Sequence, residues 1–348
     1  MAASGTCVSE HAITRGTIRD ATKIILRRDR AMLNISQNQR PRLDGLHHIS
    51  LPCRNLEQSK RFYIDVLGGE LFHDIAGFAE VRIADIIIGM SEQTGGWTGP
   101  NVEYPHYGLN VDGRNFGLAR RWFEACGVPQ HGWTRNYKTA LLYFRDPSGN
   151  LLELYCESGY DGIRELALGP RQGGVALPLQ ALQHDWKDRT GNHAARPRIE
   201  SFSHLSMPVR DLEQSKRFFI DVLGGEPVET SDPGTFTEVR VAGAIVGLST
   251  RGGVPTDRDA EYPHYAFHAD AENFLPMIDW LKAHGVVTPG PWTRDGKKAL
   301  MYFRDPSGNL LEVYCSGNFP AAADFPRGVK QGGKYATPLA NLYYDWRG

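Results

Sequence analysis

The chain has 348 residues, 41% of them apolar, with 39 basic and 40 acidic side chains and a net charge of −1. That length allows two domains at roughly 150 residues each, both able to bury a core, and a charged fraction of 23% argues against wholesale disorder. The charge balance lacks the footprint of a nucleic-acid binder, apolar runs such as Ile86–Met90 are too short for a membrane span, and five cysteines without a CxxC spacing fit neither a disulfide framework nor a zinc ribbon.

The expectation is therefore a globular cytoplasmic protein with no nucleic-acid or membrane partner. In chain order, the first 40 residues carry seven Arg or Lys against three acidic residues, and Ile13–Met32 reads as a basic helix. A transit peptide, a disordered extension and a natural start at Met32 all fit that composition, and disorder is the expectation carried forward for residues 1–40. His47–Pro52 then alternates like a strand. Asn55 caps a helix with Gln58 as capping-box partner. Leu56, Phe62, Tyr63, Val66 and Leu67 give the helix an apolar face, and Gly68-Gly69 stops it. Strands follow near Leu71–Ile75, Phe78–Ile83 and Asp85–Met90, then a Gly-rich loop, Ser91–Gly99. A second cycle runs through a strand at Pro105–Val111, a helix at Asn115–Cys126 closed by Gly127, and three strands ending at Leu151–Cys156. Asp146–Gly149 reads as the turn before the last of them.

The same unit is then written again. Arg54–Glu70 and Arg210–Glu226 differ at only two of seventeen positions. EYPHY recurs at Glu103–Tyr107 and Glu261–Tyr265, WTR at Trp133–Arg135 and Trp292–Arg294, and YFRDPSGNLLE at Tyr143–Glu153 and Tyr302–Glu312. Tails of QGG, PL and DW close both copies, at Gln172–Trp186 and Gln331–Trp346. The offset drifts only from 156 to 160, so the repeats are tandem domains rather than a solenoid of short units. The expected fold is α+β, four βαβββ modules paired into two domains. The boundaries are 41–160 and 199–318, with lid-like or strap-like extensions at 161–198 and 319–348.

Strand parity singles out the chemistry. Side chains alternate between the faces of a strand, so His48 points away from Ile49 and Leu51, His106 away from Tyr107 and Leu109, and Glu153 away from Leu152 and Leu154. In the second repeat His204, His264 and Glu312 take the same positions. Two imidazoles and one carboxylate on neighbouring strands match the facial triad of non-haem Fe(II) sites, and Mn(II) suits the same ligands. A closed zinc site usually needs four ligands, often thiolates. Cys156 and Cys315 fall on the apolar face and read as buried structural thiols.

At these residues the sequence resembles the vicinal oxygen chelate superfamily: glyoxalase I, fosfomycin- and bleomycin-resistance proteins, and type I extradiol dioxygenases. The resemblance rests on the LEQS-x-x-FY/FF-x-x-VLGG helix, the HY strand and the DPSGN-x-x-E ending, and covers about Leu43 to Tyr314. It implies glyoxalase-like domains with cupped mixed sheets, and metal ligands His48, His106 and Glu153, then His204, His264 and Glu312, one set per repeat. Glyoxalase I adds a late carboxylate ligand, whereas Gly89 and Gly247 stand near the matching places. Extradiol dioxygenases share the four-module plan and carry a Tyr ten residues before the ligand Glu, where Tyr143 and Tyr302 stand. Their acid–base His is absent, with Ser91 and Ser249 close to its place, and so is a second His expected before the Tyr.

The resemblance implies an Fe(II)-dependent ring-cleaving oxidoreductase of aromatic catabolism. Its partners are O2 and a small molecule with vicinal oxygens, and homo-oligomerisation is compatible with the sequence. Tyr143, Tyr302 and His268 are the candidate proton-transfer groups. Arg135, Arg294, Lys138 and Lys297 are candidates to hold an anionic substrate, against the blander reading of a solvated rim. The alternatives are a redox-neutral isomerase, lyase or transferase using Mn(II) or another divalent ion, and a metal-free protein that sequesters a small molecule.

Overall fold

The computed structural model describes residues 40–93, 98–169, 178–187, 195–228, 234–253, 255–317, 319–328 and 339–348. The expectations for residues 1–39 and for the two QGG motifs lie outside the described residues. Among the described residues no helix is long and apolar enough to cross a membrane.

The first repeat folds as β1 (Gly45–Cys53), α1 (Leu56–Arg61), β2 (Glu70–Ile75), β3 (Phe78–Ile83) and β4 (Ile86–Glu92). It continues as β5 (His106–Asn110), α2 (Gly113–Ala125), β6 (Gln130–Thr134), β7 (Ala140–Arg145) and β8 (Leu151–Cys156). A two-residue strand, β9 (Ala167–Leu168), belongs to its tail. Asn55 Oδ1 accepts the Gln58 backbone N–H at 2.8 Å, the expected cap. The reciprocal half of the capping box is absent, because the Gln58 side chain donates to the Trp186 carbonyl at 2.7 Å. The helix widens through Phe62–Val66 and ends at Gly68, whose φ of +82° suits glycine.

The second repeat gives β10 (Ser201–Pro208), α3 (Leu212–Arg217), β11 (Glu226–Val228), β12 (Phe236–Val241) and β13 (Ala244–Ser249). Then come β14 (His264–His268), α4 (Ala271–Ala283), β15 (Ala299–Arg304) and β16 (Leu310–Cys315). One expected strand is reduced to single bridges, Trp292 with Leu300 and Thr293 with Arg327. Pro289 and Pro291 precede it, and prolines withhold the N–H groups a strand would donate.

The modules pair across the repeats. One sheet has the order β15-β16-β14-β1-β4-β3-β2, the other β11-β12-β13-β10-β5-β8-β7-β6-β9. Each sheet therefore joins a first module from one repeat to a second module from the other. The seams are antiparallel pairs, β1 with β14 and β10 with β5. One face of both sheets buries Ile49, Leu51, Tyr107, Leu109, Leu152 and Leu154, with their second-repeat counterparts, in a single core against the helices. The Tyr107 and Tyr265 hydroxyls meet there at 3.4 Å. Cys156 and Cys315 are buried in the same core.

Each tail holds both faces of its sheet. Leu179 and Leu182 pack with Trp133, Leu141, Tyr143 and Leu151 on the side opposite the helices, and Leu339 and Leu342 do the same on Trp292, Leu300 and Tyr302. The closing Trp186 and Trp346 rings are buried edge-on against Phe62 and Phe218 on the helix side. Arg145, fully buried, ties the first tail down by donating to the carbonyls of Leu179, Thr98, Gly99 and Pro100.

Candidate metal centres

Among the described residues, two clusters on the faces opposite the helices could hold a metal ion: His48, His264 and Glu312, and His106, Glu153 and His204. In each, one donor atom per residue lies within 4.8 Å of the others. The six residues are those singled out by parity, but the grouping by repeat is corrected. His48 does not meet His106 and Glu153, nor His204 meet His264 and Glu312. The seams exchange the partners, so each cluster takes one imidazole from one repeat and an imidazole and a carboxylate from the other.

Strand register explains the convergence. His48 pairs with Ala266 on β14, and Ala266 with Glu312 on β16. His204 pairs with Gly108 on β5, and Gly108 with Glu153 on β8. The outer two residues of each row reach over a small central one, while His264 and His106 stand one side-chain step along the central strand. At Gly108 a Cβ would come within 2.3 Å of the His204 ring, so the ring would have to shift, whereas the matching place in the other cluster holds Ala266.

Glu312 Oε2 lies 3.6 Å from His48 Nε2 and 3.3 Å from His264 Nε2. Glu153 Oε2 lies 3.8 Å from His106 Nε2 and 3.9 Å from His204 Nε2, and the two imidazole Nε2 atoms are 3.2 Å apart. The Nδ1 atoms of His264 and His106 sit 2.8 and 2.9 Å from the carbonyls of Glu261 and Glu103. A carbonyl only accepts, so these Nδ1 atoms carry the protons and each Nε2 keeps a lone pair, unpartnered at His264 and facing His204 Nε2 at His106.

Both carboxylates are 0% exposed, and neither oxygen of either one has a hydrogen-bond partner. Burying a carboxylate without a partner is costly enough to shift its protonation. Burial pushes Glu153 up to about 8, partly offset by Arg135, and Glu312 up to about 7, partly offset by His264 and Arg294. Burial also lowers His48 and His264 to about 4 and depresses His106 and His204. Neutral imidazoles around an orphaned carboxylate are the donor set a divalent cation satisfies, so the residues present fit a metal.

Tyr143 donates to Glu103 Oε1 at 2.7 Å, and Tyr302 to Glu261 Oε1 at 2.8 Å. Each phenol flanks an imidazole of a cluster, with ring centroids 5.5 and 5.1 Å apart. Glu103 and Glu261 thus serve two ends, backbone to imidazole and side chain to phenol. Sequence reasoning passed over them, although the repeated EYPHY motif already carried them. Arg294 is half-buried between the Phe78 and Trp292 rings, and the presence of Tyr302 and Glu312 nearby raises its pKa. Arg135 is exposed over Trp133. Lys138 and Lys297 are exposed turn residues whose backbone N–H groups bond Asn136 and Asp295. His268 stays outside the cluster, between Asp44 Oδ2 at 3.3 Å and Ser316 Oγ at 3.1 Å.

Comparison with known proteins agrees with this architecture. The family described as the Glyoxalase/Bleomycin resistance protein/Dioxygenase superfamily matches residues 45–154 and 201–313. Metapyrocatechase of Pseudomonas sp. (strain CF600) is 27% identical over 292 residues, 78% of this chain and 86% of its own. Metallothiol transferase FosB of Staphylococcus epidermidis is 30% identical over 118 residues, 33% of this chain and 82% of its own. In structure, a candidate dioxygenase from Bacillus subtilis covers 82% of this chain and 89% of its own at a TM-score of 0.57 and 18% identity, a likeness of fold. The chain belongs to the glyoxalase, bleomycin resistance and dioxygenase superfamily.

Proposed function

We propose that the protein is an Fe(II)-dependent extradiol-type dioxygenase that opens a catechol-like ring with O2. The observation that carries the reading is the pair of buried, unpartnered carboxylates, each facing two neutral imidazoles. The match to metapyrocatechase, which runs through most of both chains, supports ring cleavage, while the FosB match spans 33% of this chain.

His48, His264 and Glu312 would hold one ion, and His204, His106 and Glu153 the other. Bound there, Fe(II) supplies Lewis acidity and open positions for two reactants. The chain's own residues do the rest. Burial raises the Tyr143 phenol well above its ordinary range, so it stays protonated and acts as a donor, and Tyr302 stands in the matching place. Arg294 and Arg135 bring positive charge toward an anionic substrate. Leu179 and Leu182, and Leu339 and Leu342, cover the adjoining sheet surface against water.

The second reading is a redox-neutral metalloenzyme using Mn(II) or another divalent ion. It is favoured by the 30% identity to FosB and by Ser91 and Ser249 standing near the place of the acid–base His. Anaerobic purification, metal analysis and oxygen uptake with a panel of catechols separate the two. Oxygen consumption proportional to bound iron supports ring cleavage, and an active enzyme with near-zero iron removes it.

A further inference from the structure

The two candidate clusters are built alike, and one difference between them lies behind one imidazole. In β1 the register slips between Leu46 and His48, and in β10 between Phe202 and His204. A bulge of this kind breaks strict alternation, so residue 47 or 203 lies beside the ligand that follows it. In one cluster His47 Nδ1 is 2.9 Å from His48 Nδ1. In the other Ser203 Oγ is 3.0 Å from His204 Nδ1.

The two backing groups are chemically unequal. With His48 Nε2 turned to Glu312, the shared proton belongs on His48 Nδ1, and His47 Nδ1 accepts it. An imidazole nitrogen is a stronger acceptor than a hydroxyl, and a stronger acceptor makes the ligand more basic toward a metal. The His47 ring is also held in place. It lies 4.4 Å from the Tyr314 ring and stacks 6.0 Å from His268, which Asp44 and Ser316 bind in turn. The other cluster has no such buttress: Asn110 stands where His268 does, and it donates to Ser201 Oγ and the Phe202 carbonyl. The second imidazole of each cluster is backed alike, by the carbonyl of Glu261 or Glu103.

We propose that His47 is a positioning residue that makes the His48–His264–Glu312 centre the tighter of two unequal metal sites. The inference rests on the metal-binding reading above. The test is a titration of the full-length, metal-stripped protein with Mn(II), following free Mn(II) by its paramagnetic resonance signal. Wild type should bind two ions in classes at least about tenfold apart. Glu153→Gln should keep the tight class and Glu312→Gln the weak one. His47→Ser, which installs the residue the other repeat already uses, should merge the classes. Ser203→His in the Glu312→Gln background should tighten the remaining site, and this arm does not depend on how His47→Ser folds. Two equal sites in wild type, an unchanged gap in His47→Ser, or the weak class surviving in Glu153→Gln would each overturn the proposal. No Mn(II) binding by any form would instead remove the metal reading itself.

Discussion

Stripping the metal should expose a pH dependence of stability that belongs to two side chains. Glu153 and Glu312 have ordinary values near 4.5, raised in the folded chain to about 8 and about 7. A carboxyl raised on folding contributes stability that is complete below its unfolded value and is lost as pH climbs through the folded one. Over that window the native state holds one more proton per group, a slope of about 1.4 kcal/mol per pH unit. Between pH 5.5 and 7.5 the loss is about 2 kcal/mol from each of the two carboxyls. The imidazoles have the opposite sign and act lower, since His48 and His264 titrate near 4 when folded. Urea unfolding of the metal-stripped protein at several pH values, beside the double variant Glu153→Gln/Glu312→Gln, isolates the carboxylates by difference. The wild type should weaken relative to the double variant by about 4 kcal/mol across those two pH units, and a bound divalent cation should abolish the difference. Parallel curves for the two proteins would refute the claim that these carboxylates are buried without partners.

Three further outcomes follow from the exchanged modules and the buried polar groups. In variant pairs assayed for bound metal, His48→Ala/Glu312→Gln should retain one ion per chain and His48→Ala/Glu153→Gln none; the reverse pattern would restore grouping by repeat. Gly108→Ala places a Cβ within 2.3 Å of the His204 ring, so metal affinity at that centre should fall at least about tenfold while the other centre is unchanged, read by the same titration. Arg145→Met leaves the carbonyls of Leu179, Thr98, Gly99 and Pro100 without their buried donor and should cost about 3 kcal/mol or more of unfolding free energy.

Much of the site was legible because β-strand parity is a local property. Ile49 and Leu51 must turn to the core, so His48 must turn away from it, and the same logic placed His106, Glu153 and their counterparts. Which three of the six share an ion was not legible. The strands β5 and β14 both open with His-Tyr and place a small residue third, so strand composition gives no basis for choosing the partner of β1. Strict alternation would put His47 and His48 on opposite faces, and the register slip that sets their rings side by side leaves no mark in the residue pattern. Conversely, the Pro289-Gly290-Pro291 run carried its warning openly, and the strand expected there is only a bridge.

The register also explains why a single sheet face can build an open centre. All three ligands of a cluster come from three adjacent strands and rise from one side of the sheet, so the cation they would hold is contacted from one side. Among the described residues no fourth His, Cys, Asp or Glu donor joins either cluster. The row beside each cluster runs His264, Ser50, Gly89 and Glu80, or His106, Ser206, Gly247 and Glu238. A Cβ at Gly89 or Gly247 would crowd the neighbouring serine hydroxyl at 2.6 Å, and the only carboxylate in each row stands three strands away from the imidazole. Arg135 and Arg294 bring positive charge near Glu153 and Glu312, while the Tyr143 and Tyr302 phenols donate to Glu103 and Glu261. An ion held from one side would keep coordination positions open, which both metal-dependent readings of the protein require.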